Sequence, residues 1–350
     1  MKSQKIIEYE KPLVLVEEET PKPKGTEVLV KVLHSGVCHT DIHINDGYFK
    51  LSRDKKIDTS SRRSLPFTPG HEIFGEVSAK GKDAKGIKIG QCRAIFPWIG
   101  CRKCSTCISG FENLCDKGNC GIGTSVNGGY SEYLIVPHPR YLIRTDGIDD
   151  GIAATLMCSG VTAYSAIKKI GKLADGDKVL ILGLGGVGLS GLQMCKALLT
   201  NEILVADIDD DKLKRGRRLG AKRVFNTRDK GSISKLVKET KGGVAVVIDF
   251  VGSEASAAFG LASTRRGGKY IVVGLFGGEI SLPLATVPLR AISIIGSLTG
   301  SLSETKEVVK LAKAGKLEPI PIENRSLSQA GEALEDLRSG SVTGRIILRP

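Results

Sequence analysis

A chain of 350 residues, 41% hydrophobic and 25% charged, is long enough for two domains with sizeable cores, and it contains no apolar run of membrane-spanning length. Nine cysteines, an odd number, follow a start (Met1-Lys2-Ser3-Gln4-Lys5) with no apolar signal region, which argues against a disulfide framework and makes a cytoplasmic location the expectation. The net charge of +13 favours encounter with anions, but the basic residues form no single block, so a solvated basic surface is expected rather than a nucleic-acid face.

Residues 1–33 read as short strands: Ile6-Ile7, then Leu13-Val14-Leu15-Val16 after a turn at Lys11-Pro12, then the alternating run Val28–Leu33 after the loop Thr20–Gly25. At the mouth of that third strand lies Cys38-His39-Thr40-Asp41-Ile42-His43, which gathers a thiol, a hydroxyl, a carboxylate and two imidazoles. Residues 47–66 are polar and basic (Lys50, Arg53, Lys55, Lys56, Arg62, Arg63) and are expected to form a lid or an oligomer contact. Gly70-His71-Glu72 precedes a strand at Ile73–Val77, and Lys88–Phe96 continues the β character. Cys38, His71 and the later Cys158 would make a two-cysteine, one-histidine zinc site with an open fourth position, the pattern of a catalytic ion.

Pro97-Trp98 leads into Cys101-x-x-Cys104-x-x-Cys107, with Cys115 beyond. Four thiols at this spacing can wrap one tetrahedral ion, so a closed structural zinc is expected in a lobe over 98–118. Cys92, Cys120 and Cys195 are left over as packing cysteines. Gly128–Val136 is another strand, and Ile152–Ile170 has helical spacing with Cys158 within it or at its start. Trp98 and Phe49 are candidates for the wall of a substrate pocket, with core packing as the alternative for each.

From 177 onward strand alternates with helix. Lys178–Leu182 is a short buried strand, followed by Gly183-Leu184-Gly185-Gly186-Val187-Gly188, a helix over Leu189–Leu199, and the strand Ile203–Asp207. A glycine fingerprint between strand and helix, with an acidic residue ending the next strand, is a dinucleotide site. Gly183 permits the turn, Gly185 lets backbone approach a pyrophosphate, and Gly188 lets helix and strand pack. Asp207 would accept bonds from the adenine ribose and repel a 2′-phosphate, which favours NAD over NADP; Lys212 lies on the same side. Further strands at Arg223–Phe225, Gly243–Asp249, Lys269–Gly274 and Ile292–Leu298 alternate with helices at Lys212–Leu219, Ser232–Thr240 and Ala255–Leu261, which implies a parallel sheet covered on both faces. Helices at Glu304–Ala314 and Gln329–Leu337 and a strand at Arg345–Leu348 end the chain.

With these motifs in this order, the chain resembles the zinc-containing medium-chain alcohol dehydrogenase family along essentially its whole length. The family's Cys-x-Ser/Thr-Asp-x-His stands as Cys38, Thr40, Asp41 and His43, its Gly-His-Glu as Gly70-His71-Glu72, and its Gly-Leu-Gly-Gly-Val-Gly is unchanged. The segment 50–64 and Pro97-Trp98 look closest to the archaeal and bacterial tetrameric branch. The resemblance implies an α/β architecture: a GroES-like β-rich catalytic domain over 1–158, a Rossmann doubly wound parallel-sheet cofactor domain over 159–298, and a C-terminal return to the first domain over 299–350. It implies two zinc ions per chain, one on Cys38, His71 and Cys158 and one on Cys101, Cys104, Cys107 and Cys115, together with NAD, a small alcohol or aldehyde substrate, no nucleic-acid or membrane partner, and a homotetramer or dimer. It assigns cofactor contacts to His39 (where many relatives carry an arginine), Thr162, Gly183, Gly185, Gly186, Val187, Gly188, Asp207, Lys212, Gly274, Leu275, Leu298 and Arg345, the last through a phosphate. Thr40 and then His43 would carry the alcohol proton to water by way of the nicotinamide ribose. Asp41 would orient His71, and Glu72 would approach the metal transiently. Two rivals are weighed against this: a zinc-independent NAD(P)H reductase of the same fold, opposed by the complete ligand set, and a nucleic-acid-binding zinc protein, opposed by the lack of a basic recognition helix after the lobe.

Overall fold

Alternation sets the first sheet. In the strand Val28–Gly36 the residues Val28, Val30 and Val32 are buried while Lys31 is exposed, and the strand pairs antiparallel with Glu72–Lys80. The computed structural model describes every residue except Asn119. It divides into one unit of Met1–Tyr48, Asp58–Val161 and Thr299–Pro350 and a second of Phe49–Ile57 and Thr162–Leu298.

The first unit carries a seven-stranded sheet. Its path runs Ile322–Ser326, Arg345–Arg349, Val28–Gly36, Glu72–Lys80, Cys92–Ile95 and Leu142–Ile143, with Tyr133–Val136 also pairing with Val28–Gly36. The strand Ile322–Ser326 escapes sequence reading because it is a polar edge, Ile-Glu-Asn-Arg-Ser, without a buried face. The N-terminal hairpin also departs from expectation. Lys2–Lys5 pairs with Val14–Glu17, and Ile6 lies just past it, bridged to Phe67. Polar Ser3 and Lys5 are buried there because both donate to Glu18, each at 2.7 Å, so their burial leaves no hydrophobic signature.

The expected helix over Ile152–Ile170 is an α-helix at Asp150–Thr155, one π-turn at Leu156–Gly160 and a second α-helix at Val161–Lys168, the last lying almost entirely in the second unit. Asp149 caps the start by accepting from the Ile152 amide. The wider turn releases two backbone groups, and both find partners: the Ser159 amide donates to Glu72 at 3.3 Å and the Met157 carbonyl accepts from the Trp98 indole at 3.1 Å. Single π-turns inside α-helices recur at functional sites, and this one carries Cys158.

The second unit is built on a six-stranded parallel sheet in the order Arg223–Asn226, Glu202–Asp207, Lys178–Leu182, Val244–Asp249, Thr264–Val272, Ser293–Gly296. This doubly wound order reverses direction between the strands Lys178–Leu182 and Val244–Asp249, and ligands of such sheets bind at the carboxyl ends beside that switch. Leu180, Leu204, Phe225, Val247, Phe259 and Tyr270 form the core. The fifth strand begins earlier than its apolar run suggests, at Thr264, because Gly267 and Gly268 carry a register shift opposite Val244–Val246. The basic segment after residue 47 contains a small hairpin, Tyr48–Lys50 with Lys56–Asp58; its tip belongs to the second unit, where the Leu51 carbonyl accepts from the Gly278 amide.

Candidate active site

Cys38 precedes the helix His39–Asp46 and serves as its N-cap, and Gly47 ends the helix in the left-handed conformation. Asp41, in the first turn, accepts from the Cys38 amide at 2.9 Å, one half of a capping box. The same carboxylate is wholly buried and accepts from the Gly70 amide (3.2 Å) and the Tyr130 hydroxyl (3.1 Å), and it lies 3.0 Å from His71 Nδ1. With Nδ1 engaged, His71 keeps Nε2, which is buried and has no hydrogen-bond partner.

That orphaned nitrogen shares its surroundings with two thiols. The donor atoms of Cys38, His71 and Cys158 lie within 4.8 Å of one another, and all three residues are buried. The hydrogen bond from Cys158 holds the Cys38 thiol well below its usual range against the effect of burial, with Arg345 and His71 assisting. Cys158 is raised in turn by the same bond and by burial. Burial would lower His71, yet Asp41 and Cys38 hold it well above the usual imidazole range. A buried imidazole nitrogen with no hydrogen-bond partner beside two converging sulfurs is a donor set that a soft divalent cation satisfies by displacing their protons, and zinc fits it.

Glu72 and Arg345 form the other side of this site. Both are buried and paired with each other, and Arg345 also donates to the Val37 carbonyl while its Nε is left unpartnered. Burial pushes Glu72 up to about 7, with Arg345 opposing and Cys38 adding to the rise. The Arg345 guanidinium, expected to meet a cofactor phosphate, pairs here with Glu72 and the Val37 carbonyl. Gly36 leaves the room that Glu72 occupies, since a Cβ there would overlap its carboxylate. Trp98 is buried with its ring centroid 5.3 Å from that of His71 and its indole bonded to the Met157 carbonyl, so it braces the ligand turn. His39, Thr40 and His43 are half-buried on the Cys38 helix.

The lobe brings Cys101, Cys104, Cys107 and Cys115 within 4.8 Å of one another. The sulfurs of Cys101 and Cys107, and those of Cys104 and Cys115, are 4.0 Å apart, too far for a disulfide and close to the ~3.8 Å between thiolates on a tetrahedral ion with Zn–S of about 2.3 Å. Amides of Lys103 and Cys104 hold the Cys101 thiol down to about 6. Glu112, which the motif does not reveal, anchors the lobe: its buried carboxylate accepts from the Gly100 amide (3.1 Å), the Tyr141 hydroxyl (2.7 Å) and Arg140 (3.0 Å).

In the second unit the glycine loop follows the strand Lys178–Leu182 and opens the helix Gly186–Leu198. Gly183 has φ +84° and Gly188 packs on the Gly183 carbonyl, so the fold itself requires both glycines. Gly185 differs. Its φ is ordinary, it is exposed, and a Cβ would touch nothing within 4 Å, so only an approaching ligand gives reason for a glycine there. This cradle, which a side chain would fill, fits a dinucleotide pyrophosphate at the helix N-terminus. Asp207, at the end of the second strand, accepts from the amides of Leu184 (2.6 Å), Ile208 (2.7 Å) and Asp209 (3.1 Å), tying the glycine loop to the next strand. Gly274, Leu275 and Leu298 follow the fifth and sixth strands at the same carboxyl end, half-buried or exposed; Gly186 and Val187 are half-buried at the helix start, Lys212 is half-buried near the start of its helix, and Thr162 is buried. Asp249, not singled out from sequence, is fully buried at the switch point and accepts from the Val251 and Gly252 amides and from the hydroxyls of Ser256 and Tyr270.

Comparison with known proteins agrees with both units. Residues 24–146 match the alcohol dehydrogenase GroES-like domain, and residues 186–314 match the zinc-binding dehydrogenase family. The chain is 35% identical over 351 residues to an NAD-dependent alcohol dehydrogenase of Sulfurisphaera tokodaii, covering all of both chains, and 35% identical to an alcohol dehydrogenase of Geobacillus stearothermophilus, covering all of this chain and 99% of that one. Among solved structures, the alcohol dehydrogenase of Aeropyrum pernix superposes with a TM-score of 0.90 at 31% identity over the full length of both chains. The chain therefore belongs to the zinc-containing medium-chain alcohol dehydrogenase family.

Proposed function

We propose that this enzyme, a zinc-dependent alcohol dehydrogenase and aldehyde reductase using NAD, holds its catalytic zinc on Cys38, His71 and Cys158 and a second, structural zinc on the four-cysteine lobe. The observation that carries the assignment is the orphaned, buried Nε2 of His71 beside two converging thiols. Bound there, zinc supplies Lewis acidity that lowers the pKa of an alcohol oxygen, and NAD supplies the hydride acceptor.

The protein's part is electrostatic and positional. Cys38 and Cys158, as thiolates, would offset the dipositive charge of the ion and so moderate the Lewis acidity it supplies. Asp41 fixes the His71 tautomer through Nδ1. With Glu72 ionised, the Glu72–Arg345 pair is neutral as a unit and adds no net charge to the site. Thr40 Oγ1 would take the substrate proton, and His43, one turn further along the same helix, would pass it to water by way of the nicotinamide ribose. Asp207 disfavours a 2′-phosphate by charge, in keeping with NAD.

Replacing Cys38 with Ser should lower kcat by more than about a hundredfold through loss of a ligand, with NADH binding retained in a fluorescence titration. Full turnover in that variant would remove Cys38 from the site. Metal analysis giving one zinc per chain would favour the zinc-independent reductase reading. We further propose a cytoplasmic homotetramer. No described helix is long and apolar enough to cross a membrane, and the outermost strand of the parallel sheet, Ser293–Gly296, has an open edge flanked by exposed Leu289, Ile294 and Leu298.

A further inference from the structure

Given zinc on Cys38, His71 and Cys158, the assignment on which this inference depends, we propose that Tyr130 is a positioning residue that keeps His71 in its metal-binding orientation by holding Asp41. Asp41 has four donors around its carboxylate. Oδ2 accepts from the Cys38 amide and the Tyr130 hydroxyl, while Oδ1 meets the Gly70 amide and His71 Nδ1. Three of these donors belong to the ligand-bearing segments themselves: Cys38, His71 and the residue just before His71. They move with the ligands and cannot fix them. Tyr130 alone comes from an element that carries no ligand.

Tyr130 is itself well anchored. It is fully buried, its amide donates to the Pro69 carbonyl at 3.0 Å, and its carbonyl accepts from the Gln4 amide at 2.8 Å. The neighbouring Gly129 amide donates to the Gly70 carbonyl at 2.8 Å. The ring lies against Gly70, which has φ +97° and where any Cβ would overlap the ring. The loop leading into His71 is therefore held by its backbone, by the ring on Gly70, and by the phenol on the carboxylate that orients the imidazole. Burial and the Asp41 charge keep Tyr130 a phenol, hence a donor. An imidazole whose Nδ1–H is held by a fixed carboxylate is a stronger and less mobile ligand through Nε2. Without the phenol, Asp41 Oδ2 retains only the Cys38 amide, and the carboxylate can swing with the histidine.

Tyr130→Phe removes one oxygen and keeps the ring packing. The test is zinc release from the purified full-length enzyme into a chromogenic chelator, with Cys38→Ser identifying which phase is the catalytic ion. The catalytic ion should leave Tyr130→Phe about tenfold faster, the low end for loss of a group that orients a metal ligand, while the lobe ion leaves at its wild-type rate. Unchanged release of the catalytic ion would overturn the role given to Tyr130. Equal acceleration of both phases would also overturn it, because it would mark general loosening. A wild-type chain holding zinc only in the lobe would overturn the metal assignment and this inference with it.

Discussion

Asp207 shows how one side chain can serve fold and specificity together. Its carboxylate accepts three backbone amides, one of them from Leu184 inside the glycine loop, so removing it changes both the charge near the ribose and the shape of the loop. In Asp207→Gly the kcat/KM ratio for NADPH over NADH should rise by about tenfold, or ~1.4 kcal/mol, while KM for NADH itself increases. Steady-state kinetics with both cofactors checks this, and an unchanged ratio would remove Asp207 from cofactor choice. Trp98 makes a related point. Its sequence position suits a pocket wall or the core equally, and what decides is a bond to the Met157 carbonyl far along the chain. Arg345 and Glu72 likewise meet across most of the sequence, a pairing that local spacing does not reveal.

Among elements, the π-turn and the cysteine lobe contrast. Helical periodicity over 152–170 is legible because it depends on near neighbours, whereas the widened turn at Leu156–Gly160 goes with bonds to the distant Glu72 and Trp98 that local pattern does not reveal. The lobe is short-range: its four thiols are close in sequence, so spacing alone suggests a tetrahedral ion. Its seat on the domain is not legible, because Glu112, Arg140 and Tyr141 become partners only after folding. Gly100 is the tight point, since a Cβ there would stand 2.5 Å from Cys107 Sγ and 2.9 Å from the Glu112 carbonyl. Gly100→Ala should cost about 1–3 kcal/mol by overpacking and speed loss of the lobe zinc, with the catalytic ion retained longer. Denaturant unfolding and metal analysis read the two effects.

At the scale of the molecule, the order of the parallel sheet gathers the cofactor candidates at one end. Gly183, Asp207, Gly274 and Leu298 all lie at or just past the carboxyl ends of strands, as a doubly wound sheet requires. The same sheet leaves Ser293–Gly296 unpaired on its outer side, with Ile294 45% exposed and no lysine or proline to blunt the edge. If that edge closes onto a second copy, Ile294→Glu should give a smaller particle by light scattering and sedimentation, with the monomer fold unchanged by circular dichroism. An unchanged mass would exclude this strand from the interface.

Sequence alone determined the features governed by near neighbours: the alternation of strand and helix after 177, the glycine loop in its strand–helix context, and the four-cysteine spacing. It also singled out Cys38, His71 and Cys158 as candidate metal ligands. Tertiary structure decided which nitrogen of His71 is left without a partner, that Asp41 and the Tyr130 phenol stand behind it, that Arg345 pairs with Glu72, and where the turn carrying Cys158 widens. The reason is one of range. Backbone periodicity and motif spacing are set within a few residues, while the contacts of Tyr130, Glu72 and Trp98 depend on closing loops of tens to hundreds of residues, and many alternative closures share the same local pattern.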